Sequence, residues 1–399
     1  MLREYLRNGQ NLRRLITVIF SMILLVPVIL PVMPVQAKSG AEWTIMVYLD
    51  ADNNLDPYGY VNVEDMMAVG STKDVNIVVL WDKYDDVANL YKVEAGDLIA
   101  AKGFKLNGIE ANMGDPNTLR DFVKYSERNF KADNYILVLW DHGDDHRGCC
   151  WDDHPEDHLT HQEITGALSG FQIDILAFDA CVEGMIEVAY EYASGDLDIE
   201  YLVATEGYVP GSGYPYYPIL AHLTADPTMD AFDLSKTIVD DYIAYYETKR
   251  PASRLVELAA IDMSCIDTIV QQIGELADVL EGLLLSDRED NHEMIAEAKG
   301  EGNLGWSEYG WEAYIDLPSF VSYLADKDVQ GAEDLYETLT ASMYVVASNA
   351  LSSAEGMGIF FPGSFGSFSN NPYWHGDDYL AMQFPHEGWW DFLQVYWGV

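Results

Sequence analysis

The sequence is poor in positive charge: 22 lysines and arginines face 66 aspartates and glutamates, for a formal net charge of −44. Nucleic acid and anionic lipid are met by clustered Lys and Arg, so the deficit argues against both as partners. It suits a solvated acidic shell in a salty or extracellular setting, and equally a field that draws in cationic substrates. Cysteine is scarce as well; Cys149, Cys150, Cys181 and Cys265 are the whole complement. They form no CxxC pair and no His–Cys spacing of a structural zinc site. If Cys181 is set aside as a nucleophile, the remaining three admit at most one disulfide, Cys265 with Cys149 or Cys150, and spacing does not choose between them. There is no internal repeat and no low-complexity linker.

Long apolar runs are absent but for one, Leu15–Val35. Arg3, Arg7, Arg13 and Arg14 precede it, Pro27, Pro31 and Pro34 interrupt it, and Val35-Gln36-Ala37 closes it. A charged start, an apolar middle and small residues at a cleavage point read as a secretory signal over residues 1–37. A retained N-terminal anchor is the competing reading, since about 20 apolar residues span a bilayer. The chain is therefore expected to be secreted or held at the cell surface, without stable membrane insertion once the signal is removed. With 49% hydrophobic residues in 399, the remainder has ample material for a large core.

What is present concentrates between Asn134 and Tyr192. Tyr135–Trp140 and Ile173–Phe178 are short runs rich in β-branched and aromatic residues, the pattern of buried strands. Thr160–Leu168 supplies an N-cap threonine, Glu163 three residues on, and helical apolar spacing. Strand, helix, strand makes a crossover between parallel neighbours, and functional groups gather beyond the carboxyl ends of such strands. There the first run is followed by Asp141-His142-Gly143 and the second by Asp179-Ala180-Cys181. An imidazole beside a thiol can take its proton and later protonate a leaving amine. Gly143 permits close backbone approach, so its N–H and that of Cys181 are expected to form an oxyanion hole. Taken singly, Cys181 reads as a small core hydrophobe and His-Gly as a turn; the chemistry rests on the pairing.

These residues carry a resemblance. WTIMVYLDADNNLD (Trp43–Asp56), ILVLWDHG with CWDD downstream, DILAFDACVEGMIEVAYE and YLVATEGYVPGSGYPY (Tyr201–Tyr216) resemble the clostripain family of cysteine peptidases, relatives of caspases, legumains and gingipains. AYIDLPSF and GIFFP are weaker echoes, and together the segments span nearly the whole mature chain. The resemblance implies a caspase-like three-layer α/β/α sandwich with a mainly parallel sheet, His142 as general base and Cys181 as nucleophile. Where the family often has a glycine-rich run after His-Gly, this chain has Asp144-Asp145-His146-Arg147. The family's pocket for the residue before the cut is lined at the place of Asp179, with Glu206 offered as a second carboxylate. A buried carboxylate pairs with a substrate Arg through two parallel hydrogen bonds, so cleavage after Arg is expected, with Lys second. Asp179 as a cap for the following helix is the plainer reading. The expected partners are protein or peptide substrates, with no nucleic acid.

Elsewhere, Trp43–Leu49, Val75–Trp81, Tyr201–Thr205 and Leu255–Ile261 read as further strands, the last closing a peptidase domain over 42–262. Leu90–Val93 with Leu98–Lys105 reads as a hairpin, and Asn62–Val69, Asn117–Asn129, Glu183–Tyr192 and Phe232–Tyr246 as helices. Residues 263–399 are expected to form a mostly helical subdomain on the same core, through Ile266–Leu285, Ile295–Lys299, Leu317–Ala325, Ala332–Leu351 and Trp389–Tyr396. The dyad chemistry needs no cofactor. Asp50, Asp52 and Asp56 stand at alternate spacing like the start of a calcium loop, and the resemblance keeps calcium as a candidate ligand there. However, Leu55 and Val61 occupy the EF-hand Gly and Glu positions, and a polar turn bonding its own backbone accounts for the stretch. His146, His154, His158 and His161, with Asp152 and Asp153, match no standard metal spacing and read as an exposed polar loop. The competing functions are a catalytically silent, secreted binding module of caspase-like fold, and an amidase or acyltransferase using the same dyad. An intact His142-Gly143 and Cys181 argue against the first.

Overall fold

Apolar side chains along the central strands alternate between two cores, and this alternation makes the protein three-layered. In β1 (Ala41–Ala51), Trp43, Ile45, Val47 and Leu49 enter one core while Met46 and Tyr48 enter the other. The computed structural model describes residues 40–195, 197–249, 256–303, 313–347, 354–370 and 376–399. The expected signal segment over 1–37 lies outside the described residues. Ser39–Val399 make a single contact unit.

Four strands follow before the His-Gly pair: β2 (Val75–Lys83), β3 (Asp86–Glu94), β4 (Asp97–Ala100) and β5 (Ala132–Trp140). A short hairpin comes next, β6 (Cys149–Asp153) with β7 (Glu156–Leu159), then β8 (Ile175–Asp179), β9 (Tyr201–Ala204) and β10 (Glu257–Asp262). The last three are β11 (Tyr314–Asp316), β12 (Met343–Ala347) and β13 (Gly358–Phe360). Nine of them form one mixed, mainly parallel sheet in the order β12-β10-β9-β8-β5-β1-β2-β3-β4. The five central strands β9, β8, β5, β1 and β2 are mutually parallel. β10 and β3 turn antiparallel at the two flanks.

Helices 56–69, 216–225 and 231–248 fill one face of the sheet, with Val63, Leu220 and Tyr242 in its core. Helices 116–129, 161–168, 186–193 and 266–286 fill the other, through Phe122, Ile164, Val188 and Ile273. Helices 317–326, 332–341 and 389–397 extend this second core, so the C-terminal residues are built onto the sheet's own face.

Three expectations are corrected. In the stretch expected as a helix over Ala332–Leu351, Ala332–Ala341 is helix but Met343–Ala347 pairs with β10 and extends the sheet, because Val345 and Val346 suit a pleated strand, and 348–351 lie outside the described residues. The strand expected last in the sheet, seen here as β10, is therefore followed by β12, which takes the outer place beside it. The helix expected from Asn62 already begins at Asp56, with Pro57 in its first turn. The one expected from Glu183 begins at Ile186, which leaves Val182 to Met185 as a non-helical lead-in beside Cys181.

Candidate active site

β5 and β8 are parallel neighbours in which Trp140 stands opposite Asp179. His142 and Cys181 each lie two residues beyond that pair, so the sheet delivers both to equivalent places at its carboxyl edge. Gly143 packs directly on the Cys181 loop: a Cβ there would run into the Cys181 carbonyl and the Glu183 carboxyl, with Ala180 Cβ 3.1 Å away. The His142 loop is tied back to β6 by Asp144 N–H to the Gly148 carbonyl at 3.0 Å and Cys150 N–H to the His142 carbonyl at 3.3 Å. Both bonds flank Gly143. Among the described residues, neither the Gly143 N–H nor the Cys181 N–H is bonded elsewhere.

Cys181 is part-buried, and its sulfur accepts from the Val209 N–H at 3.3 Å. Burial pushes the thiol up to about 11; the Val209 N–H pulls it down, and the carboxyls of Asp179, Asp141 and Asp144 add to the rise. Burial lowers the pKa of His142, with Asp153 working against it. Burial thus favours the neutral form of both the thiol and the imidazole. Val182, next to Cys181, holds φ 52°, a left-handed backbone rarely adopted by a β-branched residue. Its N–H is fixed to the Gly207 carbonyl at 2.7 Å, and that of Gly184 to the Thr205 carbonyl at 2.8 Å. The 205–216 loop is therefore stitched onto the strand end that carries the thiol.

The same loop covers Asp179. One of its oxygens accepts from Tyr214 N–H at 2.9 Å and Tyr216 O–H at 3.0 Å; the other, Oδ1, has no hydrogen-bond partner among the described residues. Gly213, at φ 64°, is required here, since a Cβ would sit 2.7 Å from that carboxylate. Burial raises Asp179 to about 7, against the pull of Tyr214 and Tyr216. It does not cap the following helix, whose N-cap is Met185. Glu206 is not brought to Asp179. It is buried with Asp316 and Glu257 and accepts from the Gly356 N–H at 3.3 Å, its acidity weakened by burial and then by those two carboxyls.

The Asp50–Asp56 turn behaves as an Asx turn, with Leu55 N–H on Asn53 Oδ1 at 2.8 Å. Asp50 and Asp52 both lie near Asp152, while Asp56 stands apart from them. Asp52 is paired with His154 at 3.0 Å, Asp50 is fully buried toward Asp141 and Asp152, and Asp56 is in the helix. Among the described residues no three His, Cys, Asp or Glu side chains are placed to hold a metal ion. The histidine group is only in part an exposed loop: Asp153 and His154 are exposed, whereas His146 and His161 are buried, bonded to Asp145 at 2.8 Å and to Tyr192 O–H at 2.7 Å. All four cysteines are free thiols. Asn54, Glu183, Val209, Tyr214 and Tyr216 were missed as site neighbours by the sequence reading. The Asp-Asn-Asn run was visible, but its spacing pointed to a cation and not to a histidine 88 residues away.

A mainly parallel α/β/α sheet with a thiol and an imidazole at adjacent carboxyl ends is the arrangement of a cysteine peptidase. Residues 47–397 match the clostripain family, and the chain belongs to that family of cysteine peptidases. It is similar to clostripain of Hathewaya histolytica, 27% identical over 405 residues that cover 86% of this chain and 74% of the relative. Among solved structures it resembles a secreted C11 cysteine protease of Bacteroides thetaiotaomicron in complex with an irreversible peptide inhibitor. That match has TM-score 0.66 and 17% identity, covering 88% of this chain and 100% of the other. It also resembles an inactive zymogen C11 protease of Parabacteroides distasonis, with TM-score 0.65 and 18% identity, covering 88% and 99%. These two likenesses speak to the fold. Among the described residues no helix is long and apolar enough to cross a membrane.

Proposed function

We propose that the protein is an exported endopeptidase in which Cys181 is the nucleophile, His142 the general base, and Arg, with Lys second, the residue preceding the cut bond. The observation that carries this is the register of β5 on β8, which supports a His–Cys pair at one sheet edge. Because burial favours the neutral thiol and imidazole, the proton leaves Cys181 for His142 as sulfur bonds to the substrate carbonyl carbon. The carbonyl oxygen takes the electron pair and is met by the N–H groups of Gly143 and Cys181. The oxyanion then collapses, the C–N bond breaks, and His142 gives its proton to the departing amine. Water attacks the thioester with His142 as base, releasing the acid and restoring the thiol. Asp179, buried with one uncommitted oxygen, supports the basic preference.

Cys181→Ala and His142→Ala should each abolish peptide hydrolysis while leaving the melting temperature close to wild type; substantial turnover in either removes the dyad. For specificity, the ratio of kcat/KM for Arg against Gln substrates should fall in Asp179→Asn by roughly thirty-fold or more. In the wild type that ratio should rise as pH climbs through about 7, where Asp179 ionises. A ratio that ignores both pH and Asp179→Asn would leave the dyad standing and remove the specificity assignment.

A further inference from the structure

The ring of His142 is held by a residue that the dyad chemistry does not name. Its Nε2 lies 3.0 Å from Oδ1 of Asn54, on the turn that follows β1. This turn is anchored. Asn53 Nδ2 donates to Asp141 Oδ1 at 2.7 Å and to the Trp151 carbonyl at 2.9 Å, and the second Asp141 oxygen accepts from the Trp151 N–H. The residue before His142 and the strand that returns beside it are thereby locked to the same turn. Asn53 fixes the turn to the loop, and Asn54, exposed at its tip, reaches the ring.

Asp141 is the carboxylate nearest to His142 in sequence, but its two oxygens are committed to Asn53 and Trp151. The charged group acting on the ring is Asp153, from the β6–β7 hairpin, and its effect is smaller than that of burial. On the side of β8 stand the Cys181 thiol and, under Gly143, the buried Glu183. The partner in hydrogen-bond contact with the ring is therefore a neutral amide.

We propose that Asn54 is a positioning residue of the catalytic pair: its amide oxygen accepts the Nε2–H of His142, which fixes the tautomer and leaves Nδ1 to receive the Cys181 proton. This rests on the dyad reading above. A carbonyl oxygen can only accept, so Nε2 keeps its hydrogen throughout the cycle. The thiol proton arrives at Nδ1, leaves from Nδ1 to the amine, and never passes through Asn54. An amide orients the ring without adding the charge that would hold it as imidazolium, and so keeps the base neutral near pH 7.

The test is steady-state hydrolysis of an Arg-containing peptide by the full chain across pH, for wild type, Asn54→Ala and Asn54→Asp. Asn54→Ala should lower kcat by about 10- to 100-fold with little change in KM, because the ring loses its orientation and no substrate contact is removed. Asn54→Asp restores an acceptor but adds a charge. It should recover most of kcat while the acid limb of kcat/KM, followed in an Asp179→Asn background where His142 and not Asp179 sets it, moves up by about one pH unit. Wild-type kcat in Asn54→Ala, a loss confined to KM, or an unshifted acid limb in Asn54→Asp would each overturn the assignment. Were Asn54→Ala to unfold, the profile of Asn54→Asp decides alone. Failure of the dyad itself has a different signature, namely activity surviving in His142→Ala.

Discussion

A methyl group on residue 143 has nowhere to go. Its Cβ would enter the Cys181 carbonyl and the Glu183 carboxyl, and both belong to a segment pinned by Val182 and Gly184 to the 205–216 loop. Relief must come from backbone movement at the place where the N–H groups of Gly143 and Cys181 are proposed to meet the oxyanion. Gly143→Ala should therefore reduce kcat/KM by about a hundred-fold or more, as loss of an oxyanion donor does. Overpacking should cost about 1–3 kcal/mol of stability. Activity near wild type, measured beside a denaturant titration, would show that the oxyanion groups lie elsewhere. The His-Gly pair was legible because it is local: an imidazole followed by a residue with no side chain. Asn54 and Glu183 were not, since what defines them is a contact across 88 residues in one case and a lead-in three residues longer than its helical pattern suggested in the other.

Among the elements, the central strands were legible and the small hairpin was not. β1, β2, β5 and β8 are buried on both faces and so appear as near-continuous apolar runs. β6 and β7 read Cys-Cys-Trp-Asp-Asp and Glu-Asp-His-Leu, too short and too polar to announce a strand. That hairpin bears on whether the chain cuts itself. From Gly148 to Ser235 there is no Lys or Arg, so Arg147 is the single basic cutting point between His142 and Cys181. Arg147 is bound to Asp144 at 2.6 Å and lies 4.5 Å over the Trp151 ring, which stacks on His158 at 4.0 Å on its own part. It also closes a 3-10 turn only five residues past His142. To enter the site it would have to leave the carboxylate and the ring, and the turn would have to open. The purified protein should accordingly remain uncut between His142 and Cys181. Intact-mass spectrometry and N-terminal sequencing check this; two stoichiometric fragments with a new terminus at Gly148 would contradict it.

For the whole molecule, acidity is a property of the interior as well as the surface. Burial raises Asp82 and Glu257 to about 8, Asp152 and Asp179 to about 7, and Asp316 to about 6. Asp50, Asp141, Glu183, Glu187 and Glu206 are raised well above the usual range for the same first reason. Unfolded carboxyls titrate near about 4, so between there and pH 8 the native state holds protons that the unfolded chain has released. A group raised in this way stabilises the fold fully below its unfolded pKa, and the contribution is lost as pH climbs through its folded pKa. His161 works in the opposite sense. Burial lowers it to about 4, so its contribution grows with pH until about 6.5 and is constant thereafter. Above pH 7 the carboxyls act without that offset. Each pH unit over which the native state keeps one extra proton is worth about 1.4 kcal/mol. The surface adds to the trend, because a formal charge of −44 repels itself. Salt separates the two contributions: at about 1 M the screening length is near 3 Å, which quiets exposed charges and leaves buried ones largely unscreened. The melting temperature should fall from pH 7 to pH 9, and added NaCl at pH 9 should recover part of the loss and not all of it. Asp82→Asn, which replaces a fully buried titrating carboxyl by a neutral amide, should flatten the slope without removing it. Calorimetry at both pH values, with and without salt, reads all three. A flat profile would mean that these carboxyls are ionised in the fold at pH 7. Complete recovery by salt would assign the whole effect to the surface.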